Sequence, residues 1–273
     1  MKILVTNDDG VRAPGLTALT NAIRHLGDIV VVAPESQQSA VSHSITLHKP
    51  IRCNEVKDFP VDGIRVFATS GTPTDAVLLG IHVIFGEKPD LVISGINSGP
   101  NLGADVTYSG TVAGAMEGIV ARVPSIAVSM GAFENLNYED CAEFTANLAV
   151  IAGSGSFPHE ILLNVNYPNI PKGEIKGVAI TRLGQRWYDD VVHERVDPRG
   201  RKYYWITGKK VLTGRLNGSD AHEMGKGFIS ITPLTLDMTS DALMGEITGI
   251  LTDPKKVGIS DKTLPYSITG PVD

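Results

Sequence analysis

The sequence predicts an α/β protein built on a mostly parallel β-sheet. Residues 2–6, 28–33 and 91–94 are short, nearly uninterrupted apolar runs, which are typical of strands buried on both faces of a sheet. The segments between such runs place apolar residues at helical spacing. With 273 residues, of which 42% are apolar, the chain can bury a large core. We therefore expect one α/β domain, with a core in residues 1–180 and a smaller appendage in residues 181–273.

The first two strands flank a predicted helix and form a βαβ unit. The helix is indicated by apolar residues at helical spacing, namely Leu16, Leu19, Ile23 and Leu26. A polar segment, residues 34–44, follows the second strand. It is too polar for a core and too rich in side-chain donors and acceptors for a simple connection. We expect it to be a loop of the functional site.

The middle of the chain continues the alternation of strands and helices. After a strand at residues 64–69, Thr72, Pro73 and Asp75 supply an N-cap, a first-turn proline and a first-turn carboxylate for a helix to about Phe85. For Asp75 this capping role is favoured over a catalytic role. The remaining predicted elements are strands at residues 91–94, 124–130 and 161–166 and helices at residues 112–121 and 140–152.

Residues 95–111 form the most unusual segment, because few stretches are so dense in Gly, Asn and Ser. Glycines let the backbone approach a ligand closely, and Asn side chains supply both carbonyl oxygens and NH₂ donors. Ser109, Gly110 and Thr111 stand where a helix is predicted to begin, and helix N-termini bind anions. The segment is therefore a second candidate site loop.

A change of pattern beyond residue 180 predicts a protruding β-hairpin. Charged and aromatic strand-like pieces at residues 187–195 and 203–207 are separated by a turn at residues 197–200. A strand at residues 228–233 and an irregular tail from about residue 252 complete the chain. We expect the appendage to mediate contact between subunits, with a lid over the site as the competing use.

Composition excludes several classes of protein. A net charge of −6, without any block of Lys or Arg, argues against binding to nucleic acid polymers or anionic membranes. No apolar run approaches membrane-spanning length, and the chain starts directly with a strand rather than a charged-then-apolar leader. Cys53 and Cys141 lack partner ligands at metal-binding spacing, which favours reduced thiols and leaves a disulfide as the alternative. Together these features predict a cytoplasmic protein.

Polar residues follow three of the predicted parallel strands. Asp8 and Asp9 follow the first, Ser39 follows the second, and Asn97 follows the strand at residues 91–94. The carboxyl ends of parallel strands share one edge of the sheet, so these side chains can converge on one cation. A purely oxygen ligand set favours Mg²⁺, Mn²⁺ or Ca²⁺ over Zn²⁺. Taken alone, the two carboxylates could also belong to a solvated Asp-Asp-Gly turn.

Several motifs together carry a family resemblance. In order and spacing, residues 3–10, 33–40, 71–75, 94–99 and 108–112 resemble the survival protein SurE family of nucleoside monophosphate phosphatases. The resemblance implies a Rossmann-like, three-layer α/β fold. It also implies a phosphomonoesterase that hydrolyses nucleoside 5′-monophosphates, and in some members 3′-monophosphates or short polyphosphate, to a nucleoside and phosphate. Homodimers or homotetramers held partly by an exchanged C-terminal segment are a further implication.

The resemblance also implies roles for individual residues. The metal ligands would be Asp8, Asp9, Ser39 and Asn97, holding one divalent cation per subunit, Mg²⁺ or Mn²⁺, and Asp8, Asp9 and Asn97 would be catalytic. The phosphate would lie near Asn101, Ser109, Gly110 and Thr111. In the resulting hypothesis a metal-activated water attacks phosphorus. Which aspartate, if either, accepts a proton from that water stays open.

Two further residues keep two interpretations each. His43 is either a general acid for the leaving nucleoside or a partly exposed loop histidine that bonds backbone. Arg12 either steers the phosphate or solvates its own loop.

Three other classes of protein compete with this function. A receiver domain needs a phospho-accepting Asp after a later strand, where this chain has Ser94 and Gly95. A haloacid-dehalogenase-type phosphatase needs a second Asp two residues after its nucleophile, where Val11 follows Asp9. A noncatalytic, Mg²⁺-dependent nucleotide-binding protein would use the same pocket without turnover.

Overall fold

A mostly parallel β-sheet is the centre of the computed structural model, which describes residues 1–155, 157–158, 160–184, 187–211 and 216–253. Among these residues, nine strands form one sheet. They are β1 (Lys2–Thr6), β2 (Asp28–Pro34), β3 (Cys53–Glu55), β4 (Arg65–Thr69), β5 (Leu91–Asn97), β6 (Ser125–Met130), β7 (Leu162–Tyr167), β8 (Val178–Ile180) and β11 (Ile229–Leu234). The α/β class with a mostly parallel sheet is therefore confirmed.

The strand order creates a crevice beside β1. The order is β3-β4-β2-β1-β5-β6-β7-β11-β8, so β1 pairs in parallel with β2 on one side and β5 on the other. The chain winds outward from β1 to β2 and β4, and then crosses to β5 and β6 on the opposite side. Ligands of open α/β sheets bind at such a reversal, beyond the carboxyl ends of the strands.

Helices cover both faces of the sheet. They are α1 (Pro14–Ile23), α2 (Pro73–Leu79), α3 (Gly110–Val120), α4 (Tyr138–Gly153) and, near the last sheet strand, α5 (Asp220–Gly225). Side chains alternate along β1, so Ile3 and Val5 pack in the larger core with α1 and α4, while Leu4 packs in the smaller core with α2. This is the three-layer arrangement that the sequence predicts.

Helix α3 lies close to the sheet because two of its three glycines, Gly114 and Gly118, face the strands. A Cβ on Gly118 would lie 2.1 Å from Ser125 Oγ, and a Cβ on Gly114 would lie 2.8 Å from Thr6 Cγ2. These are distances that real Cβ atoms do not tolerate. The close approach matters for function because α3 begins at the sheet edge where Asp8 lies.

The helix predicted from residue 72 to about residue 85 has two parts. α2 ends at Leu79, and a π-helical turn, Gly80–Phe85, continues it. Asp75 caps the helix as predicted, since Thr72 and Asp75 exchange side-chain-to-backbone hydrogen bonds in a capping box. Asp75 also accepts hydrogen bonds from Thr46 N at 2.9 Å and from Thr46 Oγ1 at 2.6 Å.

The predicted hairpin is present as a separate two-stranded sheet. Its strands, β9 (Trp187–Val196) and β10 (Lys202–Val211), are antiparallel. At the turn, Asp197 Oδ1 accepts hydrogen bonds from Arg199 N at 2.8 Å and Arg201 N at 2.9 Å. The predicted strand at residues 228–233 corresponds to β11, which pairs antiparallel with β7.

Four short or isolated elements were not predicted. Strands β3 and β8 have three residues each and α5 has six, which is too short for hydrophobic periodicity to reveal. Helix α6 (Asp241–Thr252) lies in a second unit that begins at Thr235. The predicted irregular tail falls mostly on residues 254–273, outside the described residues. In the described part of the chain, no helix is both long and apolar enough to cross a bilayer.

Candidate active site

The carboxyl edge of β1 and β5 opens into a cavity of about 350 Å³. It lies at the reversal of strand order, where β1 leads into Asp8 and Asp9 and β5 ends at Asn97. Six of the predicted site residues line this one cavity, and they are Asp8, Asp9, Ser39, Asn97, Asn101 and Ser109. Chain segments that are far apart in sequence therefore meet here.

Asp8 is the most buried carboxylate of the cavity, with 6% of the residue exposed. Thr111 Oγ1 donates a short hydrogen bond to Asp8 Oδ1, and the Asp8 carbonyl accepts from Gln38 N at 2.7 Å. Burial raises the pKa of Asp8 to about 6, and the neighbouring charge of Asp9 acts in the same direction. The Thr111 hydrogen bond opposes that rise. The site thus holds a carboxylate that is costly to ionise without a nearby positive charge.

Asp9 and Asn97 are joined through the turn after β5. Asp9 Oδ2 accepts a hydrogen bond from Ser98 N at 2.8 Å, and burial raises the pKa of Asp9 as well. Asn97 Nδ2 donates to the Gly99 carbonyl at 2.7 Å. Because the amide nitrogen is bound to its own turn, Oδ1 is the atom that Asn97 can offer to a cation.

Ser39 is exposed in the polar loop after β2. Its hydroxyl accepts a hydrogen bond from Gln37 Nε2 at 2.8 Å. The loop is attached to Asp8 by the Gln38 backbone hydrogen bond and to Tyr108 by a hydrogen bond from Ser42 N at 3.0 Å. Ser39 therefore lies in a loop that is hydrogen-bonded both to Asp8, after β1, and to Tyr108, before α3.

A buried polar network holds Asn101. Its backbone N–H donates to Asn166 Oδ1 at 2.8 Å, and its Nδ2 donates to Ser129 Oγ at 2.7 Å. Its carbonyl accepts from Asn164 Nδ2 at 2.9 Å and Asn166 Nδ2 at 3.0 Å. Strands β6 and β7 thus fix the glycine-rich loop at this residue.

The predicted phosphate residues at the start of α3 have different surroundings. Ser109 is the N-cap, and its Oγ accepts from Val112 N at 3.0 Å, which leaves its hydroxyl proton free to donate. Thr111 is fully buried behind Asp8. Gly110 is backed against Asp8, since a Cβ there would lie 2.8 Å from Asp8 Cβ. Neither Gly110 nor Thr111 lines the cavity.

The donor atoms suit a hard divalent cation. The four predicted ligands bring two carboxylates, a hydroxyl and an amide oxygen to the cavity, and Asp105 adds a third carboxylate to its lining. Oxygen atoms of these kinds are the ligands that Mg²⁺ and Mn²⁺ prefer. A cation would also offset the burial of Asp8 and Asp9. In the described ranges there is no cluster of three or more His, Cys, Asp or Glu side chains, the usual basis of a zinc site.

His43 and Arg12 do not line the cavity. His43 Nε2 lies 2.8 Å from Glu117 Oε2 on α3. Arg12 is exposed and its Nη2 donates to Asp58 Oδ1 at 2.6 Å. His43 thus bonds a side-chain carboxylate rather than backbone, and Arg12 bonds Asp58 rather than only solvating its own loop.

Sequence reasoning missed three residues that shape the cavity. Asp220 is fully buried and accepts hydrogen bonds from Gly103 N at 2.8 Å and Gly184 N at 2.9 Å. Through the first of these it holds the glycine-rich loop in place. Tyr108 and Phe133 line the cavity with exposed rings. Nothing local marks Asp220 or Phe133 as special, although Tyr108 directly precedes the predicted phosphate residues.

Comparison with known proteins assigns the chain to a family. The family model described as survival protein SurE matches residues 3–190. The chain belongs to the SurE family. The match spans every strand and helix that contributes to the cavity lining, and the resemblance seen in the sequence motifs is confirmed.

Individual SurE proteins match over most of their length. The 5′-nucleotidase SurE of Geotalea daltonii is 48% identical over 241 residues, covering 88% of this chain and 95% of that protein. The 5′-nucleotidase SurE of Moorella thermoacetica is 46% identical over 252 residues, covering 92% of this chain and 96% of that protein. A crystal structure of SurE protein from Aquifex aeolicus matches with a TM-score of 0.79 and 41% identity, covering 92% of this chain and 99% of that chain. The Rossmann-like fold predicted for the SurE resemblance is confirmed.

Proposed function

We propose that this protein is a metal-dependent 5′-nucleotidase that hydrolyses nucleoside 5′-monophosphates to a nucleoside and phosphate. The observation that carries the proposal is the convergence of Asp8, Asp9, Ser39 and Asn97 on one cavity at the reversal of strand order. The SurE relatives that match over most of the chain are named 5′-nucleotidases, which supports the same reaction class.

We assign one divalent cation per subunit, Mg²⁺ or Mn²⁺, to the side-chain oxygens of four cavity residues, which are Asp8, Asp9, Ser39 and Asn97. Asp8 and Asp9 supply the negative charge, and Ser39 and Asn97 supply neutral oxygens. A bound divalent cation would neutralise charge on the phosphoryl group and activate water as the nucleophile. Asp9 is the more accessible aspartate and Asp8 is engaged by Thr111, so Asp9 is the better placed of the two to accept a proton.

The phosphate is assigned to the side of the cavity formed by Asn101 and Ser109. Ser109 stands at the N-terminus of α3, an 11-residue helix whose dipole favours an anion at that end. Asn101 is held firmly enough by its buried network to orient a substrate. Thr111 contributes indirectly, through its hydrogen bond to Asp8.

Phosphate release tests the proposal directly. Purified protein is assayed with AMP, GMP, 3′-AMP and short polyphosphate, after chelation and after addition of Mg²⁺ or Mn²⁺. We expect turnover of 5′-monophosphates only with metal, and a loss of about 100-fold or more in kcat/KM in Asp8→Asn and Asp9→Asn. The matched control is Asp62→Asn, an exposed carboxylate outside the cavity, which should keep full turnover.

Binding without turnover is the competing outcome. A protein that binds AMP with Mg²⁺ in calorimetry but releases no phosphate would be the noncatalytic nucleotide-binding alternative. Full activity after exhaustive chelation would overturn the metal assignment. Separate Kd values for Mn²⁺ in the two Asp→Asn variants would distinguish a ligand from a proton acceptor.

We also propose a homodimer or homotetramer formed through the appendage, in the cytoplasm. An isolated two-stranded hairpin is marginally stable in water, yet β10 exposes 61% of Trp205 and 78% of Ile206, which point to opposite faces. Light scattering after chromatography tests the assembly, and Trp205→Ser combined with Ile206→Ser should shift it toward the monomer.

The cysteines support the proposed cytoplasmic location. Cys53 and Cys141 are both free, as expected of a reducing compartment.

A further inference from the structure

Two exposed aromatic side chains stand on the cavity that holds Asp8 and Asp9. Phe133 is 65% exposed and Tyr108 is 63% exposed, and both line this cavity. Exposing large aromatic rings to water forfeits the free energy that their burial would give, so such a pair beside a polar site indicates a ligand with a flat apolar part. The rest of the lining is mostly polar or small.

Resting on the proposed nucleotidase function, we propose that Phe133 and Tyr108 bind the nucleobase of the substrate by stacking. The phosphate end of the cavity has Asn101 and Ser109, and the aromatic rings supply the apolar contact that this end lacks. A cavity of about 350 Å³ has the size of a nucleotide site rather than of a surface for a macromolecule.

Phe133 is held in place by the same turn that contains Asn97. Its ring packs on Gly99, where a Cβ would lie 2.1 Å from Phe133 Cε1, and Gly99 has a φ of +108°. The Phe133 carbonyl also accepts from Ser98 Oγ at 3.5 Å. Since Ser98 N donates to Asp9, the aromatic ring and the carboxylate are positioned by consecutive residues of one turn.

Tyr108 is positioned from the other side of the cavity. Its N–H donates to the Asp105 carbonyl at 3.0 Å, and its carbonyl accepts from Ser42 N at 3.0 Å in the loop that carries Ser39. It directly precedes Ser109 at the helix start. The backbones of Phe133 and Tyr108 are therefore hydrogen-bonded to the turn and the loop that carry proposed metal ligands.

Stacking has a consequence for specificity. Every base presents a π-face, so stacking tolerates different bases and depends mainly on a base being present. We expect purine and pyrimidine 5′-monophosphates to be hydrolysed with similar kcat/KM values. A phosphomonoester without a base, such as ribose 5-phosphate, should be a much poorer substrate.

The test compares kcat/KM for AMP with kcat/KM for ribose 5-phosphate in Phe133→Ala and Tyr108→Leu. We expect the AMP to ribose 5-phosphate ratio to fall about tenfold in each variant, mostly through KM, and Phe133→Tyr to restore it. The control is Val83→Ala, because Val83 is equally exposed at 65% but lies outside the cavity. It should keep the wild-type ratio.

An unchanged ratio in both aromatic variants, or an equal loss on both substrates, would overturn the stacking assignment. If the wild-type protein released phosphate from neither substrate, the nucleotidase proposal itself would fail. The ratio of Kd values for AMP and ribose 5-phosphate, measured by calorimetry with Mn²⁺, would then test the stacking separately.

Discussion

His43 Nε2 lies 2.8 Å from Glu117 Oε2 and thereby attaches the loop of Ser39 to the body of α3. That loop contains two non-glycine residues in the left-handed region, Ala40 at φ 56° and Ser42 at φ 55°. Such conformations cost on the order of 1–3 kcal/mol each and persist only where neighbouring contacts enforce them. The His43 to Glu117 contact is one of those contacts, and neither residue lines the cavity.

Replacing His43 should therefore weaken metal binding before it affects chemistry. In His43→Ala we expect the Kd for Mn²⁺ to rise about tenfold, with kcat at saturating metal within about threefold of wild type. Isothermal titration calorimetry and phosphate release measure the two quantities. His48→Ala, which alters an exposed histidine of the same region, serves as the control. A large loss of kcat with unchanged metal affinity would instead support His43 as a general acid.

The raised pKa of Asp8 predicts a pH dependence of stability in the metal-free protein. The native state holds a proton on Asp8 up to about pH 6, whereas the unfolded chain releases it near the ordinary aspartate pKa of 3.8. Stability is therefore lost as the pH rises from about 4 to about 6, by about 3 kcal/mol at 1.36 kcal/mol per pKa unit. Asp9, whose pKa burial also raises, acts in the same direction.

Asp8→Asn should remove most of that loss, because the amide does not ionise. Denaturant unfolding of chelated protein at several pH values measures the difference between wild type and variant. We expect the free energy of unfolding of the variant, relative to that of wild type, to rise by about 3 kcal/mol between pH 4 and pH 7. Added Mn²⁺ should stabilise wild type far more than the variant. A difference that stays constant across this range would show that Asp8 ionises normally.

Asp220 should be important for stability although it lies outside the cavity. Its carboxylate accepts from three backbone N–H groups, those of Gly103, Gly184 and Ala221. Asp220→Ala leaves the buried Gly103 N–H and the two part-buried N–H groups without this acceptor, at about 1–3 kcal/mol for a lost buried partner. We expect the Tm to fall by about 5–10 °C and metal affinity to fall with it, as Gly103 is in the glycine-rich loop. Asp62→Ala should leave the Tm within about 1 °C, and an equally small change in Asp220→Ala would contradict the prediction.

Gly110 tests the close contact between α3 and Asp8. A Cβ there would lie 2.8 Å from Asp8 Cβ and 3.1 Å from the Gln38 carbonyl. We expect Gly110→Ala to displace the Asp8 carboxylate and to lower kcat/KM at least tenfold, while overpacking costs about 1–3 kcal/mol of stability. Gly245→Ala is the matched helical control, because apart from its chain neighbours and the adjacent backbone of its own helix no described atom lies within 4 Å of the added Cβ. Gly245→Ala should keep full activity and gain up to about 1 kcal/mol of stability. Wild-type activity in Gly110→Ala would disprove the close contact.

The sequence alone determined the strands, the main helices and the chemical nature of the site. Continuous apolar runs such as residues 28–33 and the capping pattern at Thr72 and Asp75 depend on neighbouring residues, so they are visible without a structure. The placement of Asp8 and Asn97 at one sheet edge also followed, because parallel strands share that edge. Family motifs added the reaction class.

Only the tertiary structure decided which distant groups support those residues. Asp8 is bound by Thr111, 103 positions away, Gly103 is held by Asp220, 117 positions away, and Phe133 packs on Gly99. Such contacts depend on how helices and loops dock on the sheet, which no local pattern encodes. The shifted pKa of Asp8 and the aromatic rim of the cavity arise from the same packing, because burial and mutual approach exist only in the folded chain.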